Sequence, residues 1–156
     1  MPAVLTKPKK KTKKSGKLPN TLSGLILCAL KDLEACERSK KYEISMDDWY
    51  SPNKVKKKCS VCLAGACIAQ RLGDGPTCRS PEYFNAVTCY KLHAVNQMRC
   101  GYVENARCDL EKAGLSCKPI PEKLKFVLIP MYSRSNPGPF KQAILKLARD
   151  LKKAGL

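Results

Sequence analysis

The chain has 156 residues, of which 44% are hydrophobic and 28% charged, as in an ordinary globular protein. Its 30 lysine and arginine residues against 13 acidic residues give a formal net charge of +17. The N-terminus lacks the apolar stretch of a secretory signal, and no segment approaches the roughly 20 apolar residues of a transmembrane helix. We therefore expect a protein that is neither exported nor membrane-spanning, with its ten cysteines kept as thiols in a cytosol.

The first 19 residues form a lysine-rich segment without an acidic residue. Because like charges repel and few apolar residues offset the entropy of ordering, this segment is predicted to be a disordered tail. Its lysines would displace counterions from a phosphate backbone, which predicts salt-sensitive binding of nucleic acid. A solubilising extension is the plain alternative. The lysines of the tail are Lys7, Lys9, Lys10, Lys11, Lys13, Lys14 and Lys17.

The segment after the tail has the apolar spacing of an amphipathic helix that starts at Leu22. Asn20 or Thr21 is placed to cap this start. A short alternating stretch over residues 42–46 predicts a strand or an extended edge. Residues 51–58 are predicted to be a polar loop.

Residues 59–72, CSVCLAGACIAQRL, are predicted to form a buried helix because they are apolar on almost every face. The helix has a row of small side chains that would let a neighbouring backbone come close. These small residues are Cys62, Ala66, Ala69 and Gly73.

Three more helices and one strand are predicted in the second half of the chain. Ser80 would cap a helix that runs to Arg99, a further helix spans residues 103–113, and residues 125–132 are the best strand candidate. The last helix opens at Pro137 and places its apolar residues on one side. Its other side carries the cations Lys141, Lys146, Arg149, Lys152 and Lys153.

Together these elements predict a mainly α protein, with one compact helical domain over residues 20–156, about five helices and a minor strand element. No internal repeat is recognised. The domain holds 23 basic against 13 acidic residues, so it is basic even without the tail. Its last helix would contact nucleic acid or an anionic membrane, or simply pack on the domain as most basic amphipathic helices do.

Cys59 and Cys62 form a C-x-x-C pair, which is half of a structural zinc site. The sequence lacks a second such pair, so zinc is only a weak candidate cofactor. A redox pair would need a helix start after a strand, and buried cysteines acting as small hydrophobic residues are the favoured interpretation. Cys62, His93 and Asn96 supply the residue types of a cysteine protease, but we predict no catalytic site.

Several segments together resemble a family of small proteins encoded in tailed-bacteriophage genomes. They are LKDLEACERSKKYEISMDDW, CSVCLAGACIAQRLG, KLHAVNQMRCGYVENA and LEKAGL, and they lie within residues 18–115. The W…C-x-V-C-L-A-G-A pattern is the most specific of them. The resemblance implies a phage origin and a helical fold, and it implies no activity. The lysine tail and the surplus cysteines depart from the family pattern.

The sequence thus predicts a non-enzymatic phage accessory protein that binds nucleic acid or other polyanions through charge, without sequence specificity. We expect it in the cytoplasm of the host cell. Two alternatives stay open. One is a module that inhibits a host or defence protein by binding an acidic surface, and the other is a minor virion protein that contacts packaged genome.

Overall fold

Helices dominate the computed structural model, which describes residues 17–53, 57–72 and 84–156. The predicted mainly α class is confirmed. The elements are α1 (Leu22–Arg38), β1 (Tyr42–Ile44), β2 (Tyr50–Asn53), β3 (Lys58–Val61), α2 (Leu63–Cys67), a π-helical turn (Ile68–Leu72), α3 (Ala86–Arg99), α4 (Val103–Lys112), a 3-10 turn (Glu122–Leu124) and α5 (Gly138–Lys153).

The first helix, α1, is the centre of the fold and packs against α2, α3 and α5. Its start is the predicted one, because the Thr21 hydroxyl accepts a hydrogen bond from the Gly24 N–H at 3.1 Å. The apolar residues that predicted the helix are buried in one continuous core. Each fully buried leucine contributes roughly 2 kcal/mol of hydrophobic stabilisation. The core also includes Leu18, which the sequence analysis had assigned to the tail.

A three-stranded sheet includes residues 51–53 and 58 of the predicted polar loop, so that prediction is wrong for these residues, whereas residues 54–56 lie outside the described part of the chain. The strand order is β1-β3-β2, with β1 parallel and β2 antiparallel to β3. Tyr50 and Val61 form a buried pair that fixes the register. Because β2 is an edge strand, Pro52 does not interrupt a ladder on both sides. Pairing and burial therefore override the weak strand propensity of the polar residues.

The helix predicted over residues 59–72 begins later, at Leu63, because the first residues belong to β3. The Cys62 sulfur caps α2 by accepting the Gly65 N–H at 3.3 Å. Burial of the segment is confirmed. The close backbone approach occurs at Gly65, where a Cβ would lie 1.3 Å from the Trp49 carbonyl oxygen. Cys62, the first of the predicted row of small residues, contacts the same carbonyl through its backbone N–H at 3.4 Å, and Gly73 of that row lies outside the described residues.

Two other predicted boundaries change. The third helix starts at Ala86 and is capped by Asn85, whose side-chain oxygen accepts the Thr88 N–H at 2.9 Å. Ser80 lies outside the described residues. The predicted strand over residues 125–132 is not formed, because the segment makes a single bridge, between Tyr102 and Phe126, within the described part of the chain.

A seven-residue motif ends both α4 and α5, which corrects the statement that the chain has no internal repeat. Residues 109–115 read DLEKAGL and residues 150–156 read DLKKAGL. In both copies the glycine is left-handed, with φ of 77° at Gly114 and 76° at Gly155. The Leu115 N–H donates to the Leu110 carbonyl at 3.0 Å, and the second copy repeats this bond. Both ends are Schellman motifs, which satisfy the last helical carbonyls.

Candidate polyanion-binding surfaces

The last residues of the lysine-rich tail lie beside the start of α1. Lys17 is exposed, whereas Leu18 is buried and its carbonyl accepts a hydrogen bond from Lys91 Nζ at 2.9 Å. The same ammonium group donates to the Asn20 side chain at 2.7 Å. Burial lowers the pKa of Lys91. The other six tail lysines lie outside the described residues, so their predicted disorder and phosphate contacts remain predictions.

The last turn of α5 meets α1 at the same end of the molecule. The Ser23 hydroxyl and backbone N–H both donate to the Leu156 carbonyl oxygen, at 2.6 and 3.1 Å. Four exposed cations surround this junction, and none of them forms an ion pair within residues 17–53, 57–72 and 84–156. We call them the helix-end patch: Lys118, Arg149, Lys152 and Lys153.

Two of the five cations predicted on α5 do not join this patch. Lys141 Nζ lies 2.7 Å from a Glu37 carboxylate oxygen and 3.8 Å from one of Glu34, so it ties α5 to α1. Lys146 pairs with Asp150 at 2.6 Å, and this bond lowers the pKa of the Asp150 carboxyl. The positive charge of both lysines is already compensated within the protein.

A second group of cations, which the sequence analysis missed, gathers where α1 ends and β3 begins. The Cys59 N–H donates to the Lys41 carbonyl at 2.8 Å, and Tyr42 pairs with Cys59 in the parallel ladder. Lys41 and Lys58 each come one residue before this pair, and they therefore lie side by side. The members, all exposed, form the hairpin patch: Arg38, Lys40, Lys41, Lys57 and Lys58.

No acidic side chain neutralises the hairpin patch within the described part of the chain. The acid of β1, Glu43, pairs with Arg134, whose Nε also donates to the Ile44 carbonyl at 3.0 Å. Asp47 and Asp48 follow the far end of β1. Like charges at neighbouring ladder positions cost stability, so an added anion would relieve repulsion in this patch. The feature of the sequence that could have revealed this patch is its two lysine pairs, Lys40-Lys41 and Lys57-Lys58.

The two patches lie at opposite ends of α1. The helix-end patch adjoins the first turn of α1, where Ser23 bonds Leu156, and the hairpin patch follows its last turn at Arg38. A helix of 17 residues is about 25 Å long. That separation matches about seven base-pair steps of a nucleic-acid strand at 3.4 Å each.

The two cysteines of the C-x-x-C pair are both buried and lie in different elements. Cys59 lies within β3, and Cys62 is 2% exposed at the start of α2. A strand followed by a helix start is the setting required of a redox pair, but burial raises the pKa of the Cys62 thiol and so disfavours the thiolate. No group of three or more metal-ligating side chains is found among residues 17–53, 57–72 and 84–156.

The protease-type residues are engaged elsewhere. The His93 ring makes an edge contact with Trp49, with ring centroids 5.4 Å apart. The Asn96 side-chain oxygen accepts hydrogen bonds from Arg99 at 2.8 and 3.1 Å.

A buried ion pair connects α1 to the π-helical turn. Arg71 Nε lies 2.7 Å from a carboxylate oxygen of Asp32, which is fully buried. The Cys28 thiol donates to the same oxygen at 3.8 Å. A hydrogen bond with Cys28, together with burial, raises the pKa of Cys67 well above its usual value. Asp32 and Cys67 are buried and Arg71 is partly exposed, and the contacts of the cluster join α1 to α2 and the π-helical turn.

A comparison of the chain with protein-family models, curated proteins and solved structures finds no match. The resemblance to tailed-phage proteins is therefore an interpretation of the sequence alone. None of the helices described is both long and apolar enough to cross a membrane.

Proposed function

We propose that this protein binds nucleic acid through charge, with phosphate contacts at the hairpin patch and the helix-end patch. One observation carries the proposal: pairing of β1 with β3 gathers five exposed cations that no described acidic side chain neutralises. A cluster of one charge sign attracts anionic partners and raises their local concentration at the surface.

The contacts expected here position a backbone and do not discriminate bases. Seven of the nine patch residues are lysines, which act as point charges and lack the planar fork of arginine. If the five cations of the hairpin patch each met a phosphate, log K would fall with log salt with a slope of about −4.5. The tail lysines would steepen this dependence further.

The biological setting proposed for this binding is that of a phage accessory protein without enzymatic activity, acting in the cytoplasm of the host cell. The support for this setting is the resemblance of residues 18–115 to tailed-phage proteins. A role in the virion, against packaged genome, uses the same charge chemistry and is distinguished by mass spectrometry of purified particles.

The test compares two triple variants that lose the same charge. Lys40→Gln/Lys41→Gln/Lys58→Gln removes three lysines of the hairpin patch, and the control Lys31→Gln/Lys112→Gln/Lys123→Gln removes three exposed lysines elsewhere. Binding to a labelled 20-bp duplex and to a single-stranded RNA of equal length is followed by anisotropy across a salt series. The hairpin variant should flatten the salt slope by about 2 to 3, since each lost phosphate contact removes about 0.9.

The control variant should change the slope by less than about one contact. An equal flattening of the salt slope in both variants would show that binding depends on overall charge, and it would remove the hairpin patch from the proposal. If the wild-type chain binds neither DNA nor RNA in dilute buffer, the proposed function is wrong.

A further inference from the structure

Large apolar side chains are exposed in and beside the segment that follows the 3-10 turn. Tyr102, Phe126, Leu128 and Met131 are large hydrophobic side chains that are exposed to solvent, by 49%, 54%, 83% and 93%. Tyr102 immediately precedes α4, and the other three lie on the segment that follows the 3-10 turn. Nucleic-acid binding through phosphates makes no use of aliphatic side chains such as Leu128 and Met131. Contiguous apolar surface of this kind marks an interaction site.

The extended segment has the alternation of a strand, with one face packed and the other exposed. Val127 and Ile129 pack against the core, whereas Phe126 and Leu128 face solvent. On its inner side the segment is held by two backbone bonds, Val127 N–H to the Gly101 carbonyl at 3.0 Å and Glu104 N–H to the Lys125 carbonyl at 3.2 Å.

Gly101 makes this inner attachment possible. A Cβ at this position would lie 1.8 Å from the Val127 carbonyl oxygen, and the residue is left-handed with φ of 85°. The segment is thus fixed in place by a backbone contact that other residues would not permit.

The outer edge of the segment lacks a strand partner. The Val127 N–H and carbonyl lie against Gly101, so where the chain stays extended the N–H and C=O groups of its neighbours Phe126 and Leu128 are directed to the opposite side. No backbone hydrogen bond to these groups is present in the described part of the chain. Pro130 ends the edge because it has no N–H to donate. The backbone N–H and C=O groups of two residues can therefore form a short ladder of hydrogen bonds with a partner strand.

A cleft of about 800 Å³ runs between this segment and the second half of α5. Its apolar wall contains Leu124, Phe126 and Leu128, and its charged wall contains Lys123, Lys146 and Lys153. Among the described residues that line it, Asp150 is the only acidic one, and this aspartate is paired with Lys146. An occupant must therefore combine apolar side chains with negative charge.

We propose that this edge and cleft bind an extended segment of a protein partner in which acidic and apolar residues alternate. The partner segment would add a strand beside Phe126 and Leu128. Its apolar side chains would pack on the exposed side chains of these two residues, and its carboxylates would lie toward Lys123 and Lys153. A second copy of this chain is disfavoured as the occupant, because two chains of net charge +17 repel.

The probe is a labelled nine-residue peptide in which glutamate and valine alternate. A peptide of the same composition with its glutamates and valines in two blocks controls for charge, and a peptide alternating lysine and valine controls for the apolar pattern. The alternating acidic peptide should bind at least about tenfold more tightly than either control, a difference of about 1.4 kcal/mol.

The variant Leu128→Ser/Met131→Ser should weaken this binding, and Leu145→Ser, which removes an exposed leucine of α5 from another surface, should not. All three side chains are exposed, so thermal unfolding should show that the variants stay folded. Equal binding of the block peptide, no binding at millimolar peptide, or unchanged binding by the double variant would each overturn the proposal. So would a wild-type dimer in sedimentation that the double variant abolishes.

This proposal does not rest on nucleic-acid binding. The hairpin-patch variant retains the edge and cleft, and it should bind the peptide like the wild type. Loss of peptide binding without loss of DNA binding, or the reverse, therefore identifies which of the two proposals fails.

Discussion

The ends of α4 and α5 carry nearly the same seven residues and fold into the same cap, yet they differ in charge and surroundings. In both motifs the left-handed glycine allows the chain to turn back on a buried leucine, Leu110 or Leu151. The fifth residue from the end distinguishes them, since Glu111 pairs with Arg107 at 2.5 Å and Lys152 faces solvent in the helix-end patch.

The aspartates that open the two motifs differ even more. Asp109 is buried, and burial raises the pKa of its carboxyl. Asp150 is partly exposed, and its hydrogen bond with Lys146 lowers the pKa of its carboxyl. The comparison teaches that a short sequence fixes the local backbone, whereas the packing of the helix fixes the charge state and chemistry of its side chains.

The largest effects should come from the leucines that the two copies share. Leu110→Ala and Leu151→Ala each remove a side chain that is at most 1% exposed. Each should lower the free energy of unfolding by about 2–5 kcal/mol, from lost burial and the cavity that remains. Urea unfolding measures both. If one variant lowers the free energy of unfolding by less than about 1 kcal/mol, the two helix ends are not equivalent parts of the core.

Smaller and equal effects are expected at the two glycines. Gly114→Ala and Gly155→Ala force a side chain into a left-handed conformation, which costs roughly 1–2 kcal/mol. A Cβ at Gly114 meets no atom within 4 Å, and one at Gly155 meets the flexible Lys118 ammonium at 3.1 Å. Backbone strain should therefore dominate at both positions. A neutral result at either glycine in the same urea experiment would contradict the Schellman geometry there.

The smallest effects should have opposite signs. At pH 7, Asp109→Asn should raise the melting temperature by about 1–2 °C, because it removes a buried charge near a helix C-terminus. Asp150→Asn should lower it slightly, because it removes the partner of Lys146. Thermal unfolding followed by circular dichroism checks both signs.

The pH dependence of these two variants follows from the direction of each pKa shift. The raised pKa of Asp109 means that its penalty is present above the folded-state pKa and disappears as the pH falls toward the usual aspartate value. The lowered pKa of Asp150 means that its stabilisation is present above that usual value and is lost as the pH falls through the folded-state pKa. Both variants should therefore approach the wild type in acid, and a gain for Asp109→Asn that grows in acid would contradict the burial of its carboxylate.

Much of the helical fold followed from the sequence because its signals are local. The apolar spacing after Leu22, the cap at Thr21, the opening of α5 at Pro137 and the stop at Gly114 all depend on neighbours within one or two turns. Such signals act before tertiary contacts form. The sequence also identified Arg149, Lys152 and Lys153 as exposed cations, since the opposite side of α5 is continuously apolar.

Non-local pairing decided what the sequence analysis missed. Residues 51–53 look polar and residues 59–61 look helical in the sequence, but β3 pairs with β2 on one side and with β1 on the other. The pairing with β1 also brings Lys41 beside Lys58. Ion pairs between elements, such as that of Lys141 with Glu37, compensate charges that the amphipathic spacing alone had left unpaired.

By itself, then, the sequence determined which segments are mainly helical, how α1 begins and α4 ends, and that the chain carries a large positive charge. Only the tertiary structure decided which cations are compensated, which cluster, and which apolar side chains of residues 126–131 stay exposed. The reason is physical: helix caps and amphipathic spacing depend on contacts a few residues apart, whereas charge compensation and strand pairing depend on groups brought together from distant parts of the chain.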